Sequence, residues 1–316
     1  MPRILFLNAC DDHLPHTLQN HGFTCTFDLT STYAELADQI ADYHGIVLRS
    51  RLPLDAALLD RADNLQFIAR LGVGLEHVDL TRAEALGVAV LNSPEGSRDA
   101  VAEHTLGLLL GLLRHIPRAD REIRAGTWDR TRNTGHEIRG KTVGIMGFGN
   151  MGSALAERLS VFGCDILAYD RYREHFGNTF VRAVPLETLW ERTDILSLHF
   201  PISPANRYFV DAAFLEKFHK PIWLVNTARG EILETAAVVA GLKNNRIRGA
   251  ALDVLEYEEG SFANFRFDAL PDDFRFLTTS DRVLLTPHLG GITHEATVNH
   301  AYVLAEKILR LYGRTS

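Results

Sequence analysis

"VGIMGFGNMGSALAERLSVFGCDILAYD", residues 143–170, runs from a short apolar stretch through three glycines into a helical pattern and ends on an aspartate. Val143, Ile145 and Met146 have the character of a buried strand, and Ala154, Leu155, Leu159 and Phe162 recur at the spacing of one helix face. Between them lies GxGxxG, its glycines Gly147, Gly149 and Gly152, with Asn150 and Met151 inside the loop. Strand, tight turn and helix follow in the order that a dinucleotide-binding loop requires. Gly147 allows the turn, Gly149 lets a pyrophosphate approach the backbone, and Gly152 lets the helix lie close to the strand, with the phosphates at the helix N-terminus. A second strand, Asp165 to Tyr169, then delivers Asp170. Its carboxylate is suited to accept hydrogen bonds from the adenosine ribose and its charge repels a 2′-phosphate, which points to NAD over NADP. Arg171 beside it works against that preference. A bare GxGxxG also occurs in turns that bind nothing; the flanking order and the aspartate make this one specific.

Length and composition set the outer bounds. The chain has 316 residues, 46% hydrophobic and 23% charged, enough to bury a substantial core and to form two domains. A formal net charge of −7 and a pI near 6.1 provide no electrostatic footprint for nucleic acid or an anionic membrane. The longest apolar run, Leu106 to Leu113, falls far short of the ~18 residues of a spanning helix. Ile4 to Leu7 is too brief for the apolar region of a signal peptide. The expected compartment is the cytoplasm. Cys10, Cys25 and Cys164 are widely spaced, with neither CxxC nor a Cys/His cluster, so reduced core thiols are expected and neither a disulfide framework nor a metal site.

Strand-like runs alternate with helical patterns almost throughout, which argues for parallel sheets covered by helices. Arg3 to Asn8, Gly45 to Arg49, Phe67 to Arg70 and Val88 to Leu91 read as strands of a small first α/β unit. From Ala100 to about Ala125 the pattern predicts one long apolar-faced helix, kinked or interrupted at Pro117. Its Leu-rich surface exceeds the need of one sheet face, which points to a homodimer contact. The second unit begins at Thr142 and continues through Asp165–Tyr169, Ile195–His199, Ile222–Asn226, Gly249–Asp253 and Val283–Thr286, six strands in all, the number of a full dinucleotide fold.

Three polar residues of the C-terminal half stand at or just past the ends of expected strands, where open α/β sheets place their ligands. They are Arg229 in "VNTARG", Glu258 shortly after "AALDV", and His288 in "LLTPHLGG". An arginine can bind a carboxylate through two parallel hydrogen bonds and polarise a neighbouring carbonyl. A histidine can deliver or remove one proton near neutral pH, and a glutamate beside it orients the ring. Singly, each has a plainer reading as a surface charge, a solvated acid or a loop histidine. Beside a dinucleotide loop they supply what hydride transfer between nicotinamide and a 2-hydroxy or 2-oxo acid needs.

Taken together, "ARLGVGLEHVD", "LNSPEGSRDAVAEHTLGLLL", "GKTVGIMGFGNMG", "SLHFP", "LVNTARGEIL", "GAALDV" and "LLTPHLGG" give a chain that resembles the D-isomer-specific 2-hydroxyacid dehydrogenases over nearly its whole length. The resemblance implies two doubly wound parallel-sheet domains: a flavodoxin-like substrate domain of residues 1–98 plus 287–316, and an inserted Rossmann NAD-binding domain of residues 99–286. It implies a homodimer through the helix after residue 100, and a small anionic 2-hydroxy or 2-oxo acid as substrate. Residue by residue it implies Arg229 as the carboxylate-binding arginine, His288 as the acid/base and Glu258 as its partner. Asn150, Met151, Asp170, His199, Pro201, Thr227, Asp253 and Gly290 fall on cofactor-contacting positions, and Val73 and Gly74 on the loop whose amides meet the substrate carboxylate.

Within the family the chain looks most like the branch acting on 3-phosphoglycerate, which uses cationic side chains near the substrate phosphate at the positions of Arg49 and Arg70; Arg51 adds a third charge nearby. Departures from that branch are Asn150 in place of an arginine, Ser97 in place of an asparagine, and the expected lack of a C-terminal regulatory domain. Glu259 stands where a proline is usual, so Glu256 and Glu259 are rivals of Glu258. The long segment from Glu259 to Arg282 carries Phe262, Phe265, Phe267, Phe274 and Phe276 and is expected to pack on the body or on a neighbouring subunit. Two alternatives stay open: a glyoxylate or hydroxypyruvate type of 2-oxo acid reductase, and a nonenzymatic NAD-sensing corepressor of the same family.

Overall fold

The computed structural model describes residues 1–174, 176–258 and 270–313, and the chain divides into two compact units. The first comprises Met1–Ala100 and the segment from Gly291 onward. Its strands are β1 (Arg3–Phe6), β2 (Thr24–Phe27), β3 (Gly45–Leu48), β4 (Phe67–Arg70) and β5 (Ala89–Asn92). They form one parallel sheet in the order β2-β1-β3-β4-β5, the doubly wound order of flavodoxin-like folds. β1, β3 and β4 are nearly continuous apolar runs because helices cover both faces. Alternate residues supply two cores. Leu5, Ile46, Leu48 and Ile68 meet Leu36, Ile40 and Leu58 on one face, whereas Ile4, Phe6, Val47 and Phe67 meet Leu304, Ile308 and Leu309 of the C-terminal helix His294–Leu311 on the other. β2 was not expected. It is an edge strand of sequence TCTF with no fully buried residue, so it carries no apolar run to announce it.

The second unit comprises Val101–Glu258 and the described residues up to Gly290. Its strands are β6 (Thr142–Met146), β7 (Asp165–Tyr169), β8 (Arg182–Ala183), β9 (Ile195–Leu198), β10 (Ile222–Asn226), β11 (Ile247–Leu252) and β12 (Val283–Leu285). The parallel sheet runs β12-β11-β10-β9-β6-β7-β8; counted from β6 this is the 3-2-1-4-5-6 dinucleotide order with a further strand beside the last. The expected six strands become seven because the two-residue edge strand β8 escapes notice. The register brings the strand ends into one row, Tyr169, Met146, Leu198, Asn226, Leu252 and Leu285 standing side by side. The chain therefore leaves the sheet at one edge at Gly147, Asp170, His199, Thr227, Asp253 and Thr286.

The helix expected over residues 100–125, kinked or interrupted at Pro117, is interrupted: Pro94–Leu113 and Ile116–Arg124 are parted at His115 with φ +55°. The ring of Pro117 cannot share a helix with the Leu113 carbonyl four residues back, yet suits the first turn of a new helix. Leu108, Leu109, Leu112 and Leu113 pack against Val143, Ile145 and Val225 of the sheet. The phenylalanines at 262, 265 and 267 lie outside the described residues. Phe274 and Phe276 sit in the helix Asp272–Thr279, where Phe274 and Leu277 are buried in the core of this unit and Phe276 packs against it.

Candidate active site and cofactor loop

The glycine loop leaves β6 in a conformation that other residues avoid. Gly147 has φ +88°, and a Cβ there would stand 2.6 Å from the carbonyl carbon and oxygen of His199. Its N–H donates to the Tyr169 carbonyl at 2.8 Å, tying the loop to β7. A Cβ on Gly152 would lie 2.1 Å from the Gly147 oxygen, whereas one on Gly149 would meet nothing within 4 Å. The helix Asn150–Leu159 thus begins against open space, with Asn150 exposed and Met151 half-buried. Asp170 accepts from the N–H groups of Phe148 (2.8 Å), Tyr172 (2.9 Å) and Arg173 (3.1 Å). Arg173 donates to the Phe148 carbonyl and the Arg171 guanidinium lies over the Tyr172 ring at 5.8 Å. An open glycine at a helix N-terminus with a carboxylate on the next strand end is what a dinucleotide needs.

At the end of β9, His199 Nε2 is 2.7 Å from Ser197 Oγ, and burial lowers its pKa to about 4, so the ring is neutral at pH 7. Pro201 is exposed and its carbonyl accepts from Asn206 at 2.9 Å. Thr227, after β10, is buried with Oγ1 2.9 Å from Thr105 Oγ1.

Arg229 stands on the loop after β10. The Asn226 side chain, buried at the strand end, donates to the Arg229 carbonyl at 2.9 Å and accepts from the Ala228 N–H at 3.0 Å, fixing the turn. A Cβ on Gly230 would lie 2.0 Å from the Leu255 carbonyl, so only glycine lets this loop press against the turn that follows β11. That turn carries Glu258. One carboxylate oxygen accepts from the Leu255 N–H; the other takes the N–H of His288 Nδ1 at 2.6 Å. The two side chains are 17% and 28% exposed, sheltered yet within reach of a ligand. Glu256 points elsewhere: it accepts from Tyr208 Oη (3.2 Å) and from the Thr235 N–H (2.8 Å) at the start of the helix Thr235–Lys243. Glu259, the other rival, lies outside the described residues.

His288 has φ +54°, a left-handed backbone that costs a non-glycine residue about 1–3 kcal/mol. Asp253 holds it there. Its backbone oxygen accepts from His288 N–H (2.7 Å), Oδ1 from Leu289 N–H (2.8 Å) and Oδ2 from Gly290 N–H (2.8 Å). Thr286 Oγ1 and His104 Nε2 approach Oδ1 at 2.6 and 3.0 Å. Burial alone would raise the Asp253 carboxyl, but these bonds outweigh it and hold the pKa below its ordinary value. The side chain is 1% exposed. Sequence reasoning missed His104 and Thr286; the one signal was a polar ring within the apolar stretch "VAEHTLGLLL".

In the first unit, Arg49 follows β3 and its N–H donates to Asn8 Oδ1 at 2.7 Å, while its Nε is buried with no hydrogen-bond partner among the described residues. Arg70 ends β4 and folds over Gly72, where a Cβ would stand 1.5 Å from Nη1. The Val73 carbonyl accepts from Asn92 at 2.7 Å, and Gly74 is buried. Ser93 Oγ accepts from the Gly72 N–H at 3.0 Å and lies 2.8 Å from Nδ1 of His300. Burial, with the charges of Arg49 and Arg70, lowers the His300 pKa to about 4. Ser97 is 1% exposed, its hydroxyl without a partner among the described residues. Arg51, expected as a further charge near the substrate, donates instead to the carbonyls of Leu7 (2.8 Å), Asp28 (3.0 Å) and Ser31.

Residues 106–290 match the family model described as D-isomer specific 2-hydroxyacid dehydrogenase, NAD binding domain. The chain is 36% identical over 315 residues to a glyoxylate reductase of Thermofilum pendens, covering 98% of this chain and 87% of that protein. It is 34% identical over 311 residues to a D-3-phosphoglycerate dehydrogenase of Archaeoglobus fulgidus, covering 98% of this chain but only 57% of that longer protein. The crystal structure of D-lactate dehydrogenase with NAD+ from Lactobacillus jensenii superimposes with a TM-score of 0.81 at 26% identity, over 99% of this chain and 97% of that one. The row of strand ends, the glycine loop and these likenesses agree: the chain belongs to the D-isomer specific 2-hydroxyacid dehydrogenase family, with an NAD-binding domain in residues 106–290.

Proposed function

We propose that this protein is an NAD-dependent dehydrogenase that interconverts a small D-2-hydroxy acid and its 2-oxo acid. The observation that carries the reading is the His288–Glu258 pair at 2.6 Å, on the sheet edge that also bears the glycine loop and the Arg229 loop. Bound NAD supplies the hydride acceptor, or as NADH the donor. Gly147, Gly149, Gly152, Asn150, Met151 and Asp170 would hold its adenosine and phosphate portion, and His199, Pro201, Thr227, Asp253 and Gly290 would line the remainder of the site. The Arg229 guanidinium binds the substrate carboxylate and polarises the adjoining carbonyl. His288 gives a proton to the carbonyl oxygen in reduction and takes it back in oxidation. Because Glu258 accepts from Nδ1, the exchange falls to Nε2, and the carboxylate stabilises the imidazolium.

Residues 1–98 and 287–316 form the substrate domain in this reading, and 99–286 the cofactor domain. The amides at Val73 and Gly74 receive the carboxylate, and Arg49 and Arg70 receive an anionic tail. The Nε of Arg49, buried and without a hydrogen-bond partner among the described residues, favours a phosphorylated substrate such as 3-phosphoglycerate. A glyoxylate or hydroxypyruvate type of reductase is the second reading, favoured by the engagement of Arg51 with backbone carbonyls. No observation favours the nonenzymatic corepressor. A homodimer is supported by the helix Ile116–Arg124, which has no buried residue, and by Ile116, Ile123 and Trp128, which are 56%, 52% and 79% exposed. Three free cysteines fit a reducing, cytoplasmic compartment. Among the described residues no helix is long and apolar enough to cross a membrane. The test is an NADH-oxidation screen across 2-oxo acids with and without a phosphate; oxidation with none of them would end the reading.

A further inference from the structure

We propose that His104 is a positioning residue for His288, acting through Asp253. The proposal rests on the reading of His288 as the acid/base and adds a residue outside that set. His104 lies on the helix Pro94–Leu113, far from the loop in sequence, with Nε2 3.0 Å from Asp253 Oδ1 and 3.2 Å from Thr286 Oγ1. The proton inventory fixes the direction of these bonds. An ionised carboxylate only accepts, so Thr286 Oγ1, 2.6 Å from Oδ1, spends its hydrogen there, and Nε2 of His104 carries the hydrogen shared between the carboxylate and the Thr286 oxygen.

Asp253 in turn binds three consecutive N–H groups, those of His288, Leu289 and Gly290, through its backbone oxygen and both carboxylate oxygens. The carboxylate can hold that loop only while its own rotation is fixed, and His104 and Thr286 add two donors to Oδ1, the oxygen that also takes the Leu289 N–H. The left-handed backbone of His288 carries a steric cost that such support offsets. Space is equally tight: a Cβ on Gly290 would stand 3.0 Å from Asp253 Oδ2 and 3.7 Å from the His104 ring. A histidine that merely filled space would need neither the donor at Nε2 nor the buried acceptor that meets it.

The test uses the full chain and whichever of glyoxylate, hydroxypyruvate and 3-phosphohydroxypyruvate the wild type reduces best with NADH. His104→Leu keeps the bulk and removes the donor, His104→Gln restores an N–H at nearly the same reach, and Thr286→Val removes the second donor to the same oxygen. The expected result is a fall in kcat of about 10- to 100-fold for His104→Leu, as small misplacements of a catalytic group produce. KM for NADH should change by much less than kcat, since His104 is itself no cofactor contact and acts on the loop that carries His288. His104→Gln should recover most of the loss, and Thr286→Val should lower kcat without raising KM for NADH. Wild-type kcat in His104→Leu, a His104→Gln no better than His104→Leu, or a loss confined to NADH affinity would each overturn the proposal. Should His104→Leu fail to fold, an unchanged kcat in Thr286→Val overturns it instead. His288→Gln runs in parallel: if that variant is dead while His104→Leu is normal, only the positioning role falls, whereas a normal His288→Gln removes the acid/base reading and this proposal with it.

Discussion

Nδ1 of His288 and Oε2 of Glu258 stand 2.6 Å apart, across a gap of thirty positions in the chain. Neighbouring Glu256 faces the other way and caps a helix. Two carboxylates of one short turn therefore have separable duties. His288→Gln should lower turnover by about 10²–10⁴-fold, the typical worth of general acid–base transfer, and leave NADH binding nearly intact. Glu258→Gln should alter the pH profile of kcat. Glu256→Gln should leave that profile as in the wild type and instead cost about 1 kcal/mol of stability through the weakened helix start. Steady-state kinetics beside urea unfolding distinguishes them; an unchanged profile in Glu258→Gln would contradict the assignment.

NADH should be preferred to NADPH, because the Asp170 carboxylate repels a 2′-phosphate at the end of β7. Asp170 also accepts three backbone N–H groups of the loop and its own turn. Asp170→Ala should then narrow the preference mainly by weakening NADH, measured as the Kd of each reduced cofactor. Equal wild-type affinity for the two would count against this.

Arg49 and Arg51 are two residues apart in sequence and engaged in different work. Arg51→Ala removes donors to the carbonyls of Leu7, Asp28 and Ser31 and should cost about 2 kcal/mol of stability, with KM values little changed. Arg49→Ala should raise KM for 3-phosphohydroxypyruvate more than for glyoxylate. A wild-type kcat/KM ratio near one between 3-phosphohydroxypyruvate and hydroxypyruvate would remove the phosphate reading and leave a general 2-oxo acid reductase.

Buried His300 and half-buried His199 make stability depend on acid. Burial, aided at His300 by Arg49 and Arg70, lowers the pKa of each to about 4 from 6.5. Between those values the unfolded chain binds protons that the folded one refuses, so stability rises with pH there and is lost as pH falls from 6.5 towards 4. His300→Asn should flatten part of that slope in unfolding midpoints measured from neutral pH to pH 4. A slope identical to the wild type would contradict the assignment for His300.

The parts of the fold that could be read from sequence are those written in local patterns. β6, its glycines and the helix after them are contiguous, and each step has a steric or electrostatic reason visible within a few residues. β2 and β8 escaped because edge strands carry no apolar run, Thr24–Phe27 being only partly buried and Arg182–Ala183 exposed. The helix break was expected at Pro117 and falls before it, because the clash of a proline is with the carbonyl four residues upstream. The site divides in the same way. Glu258 could not be told from Glu256 by spacing, since what separates them is which faces His288 and which faces Thr235, a matter of tertiary position. Arg51 read as a charge near the substrate because its carbonyl partners at Leu7, Asp28 and Ser31 leave no mark in a sequence. Asp253 read as a cofactor contact, and the structure adds a hold on the His288 loop from a residue already recognised as important.

The most direct measurement is NADH oxidation by the purified chain with glyoxylate, hydroxypyruvate and 3-phosphohydroxypyruvate, with the wild type beside His288→Gln and Arg229→Ala, and with the chirality of any chiral product determined. The expected result is saturable oxidation with at least one of the three, a D-configured 2-hydroxy acid wherever the product is chiral, and loss of turnover in both variants. Binding of NADH without oxidation by any of these acids, or an L-configured product, would contradict it.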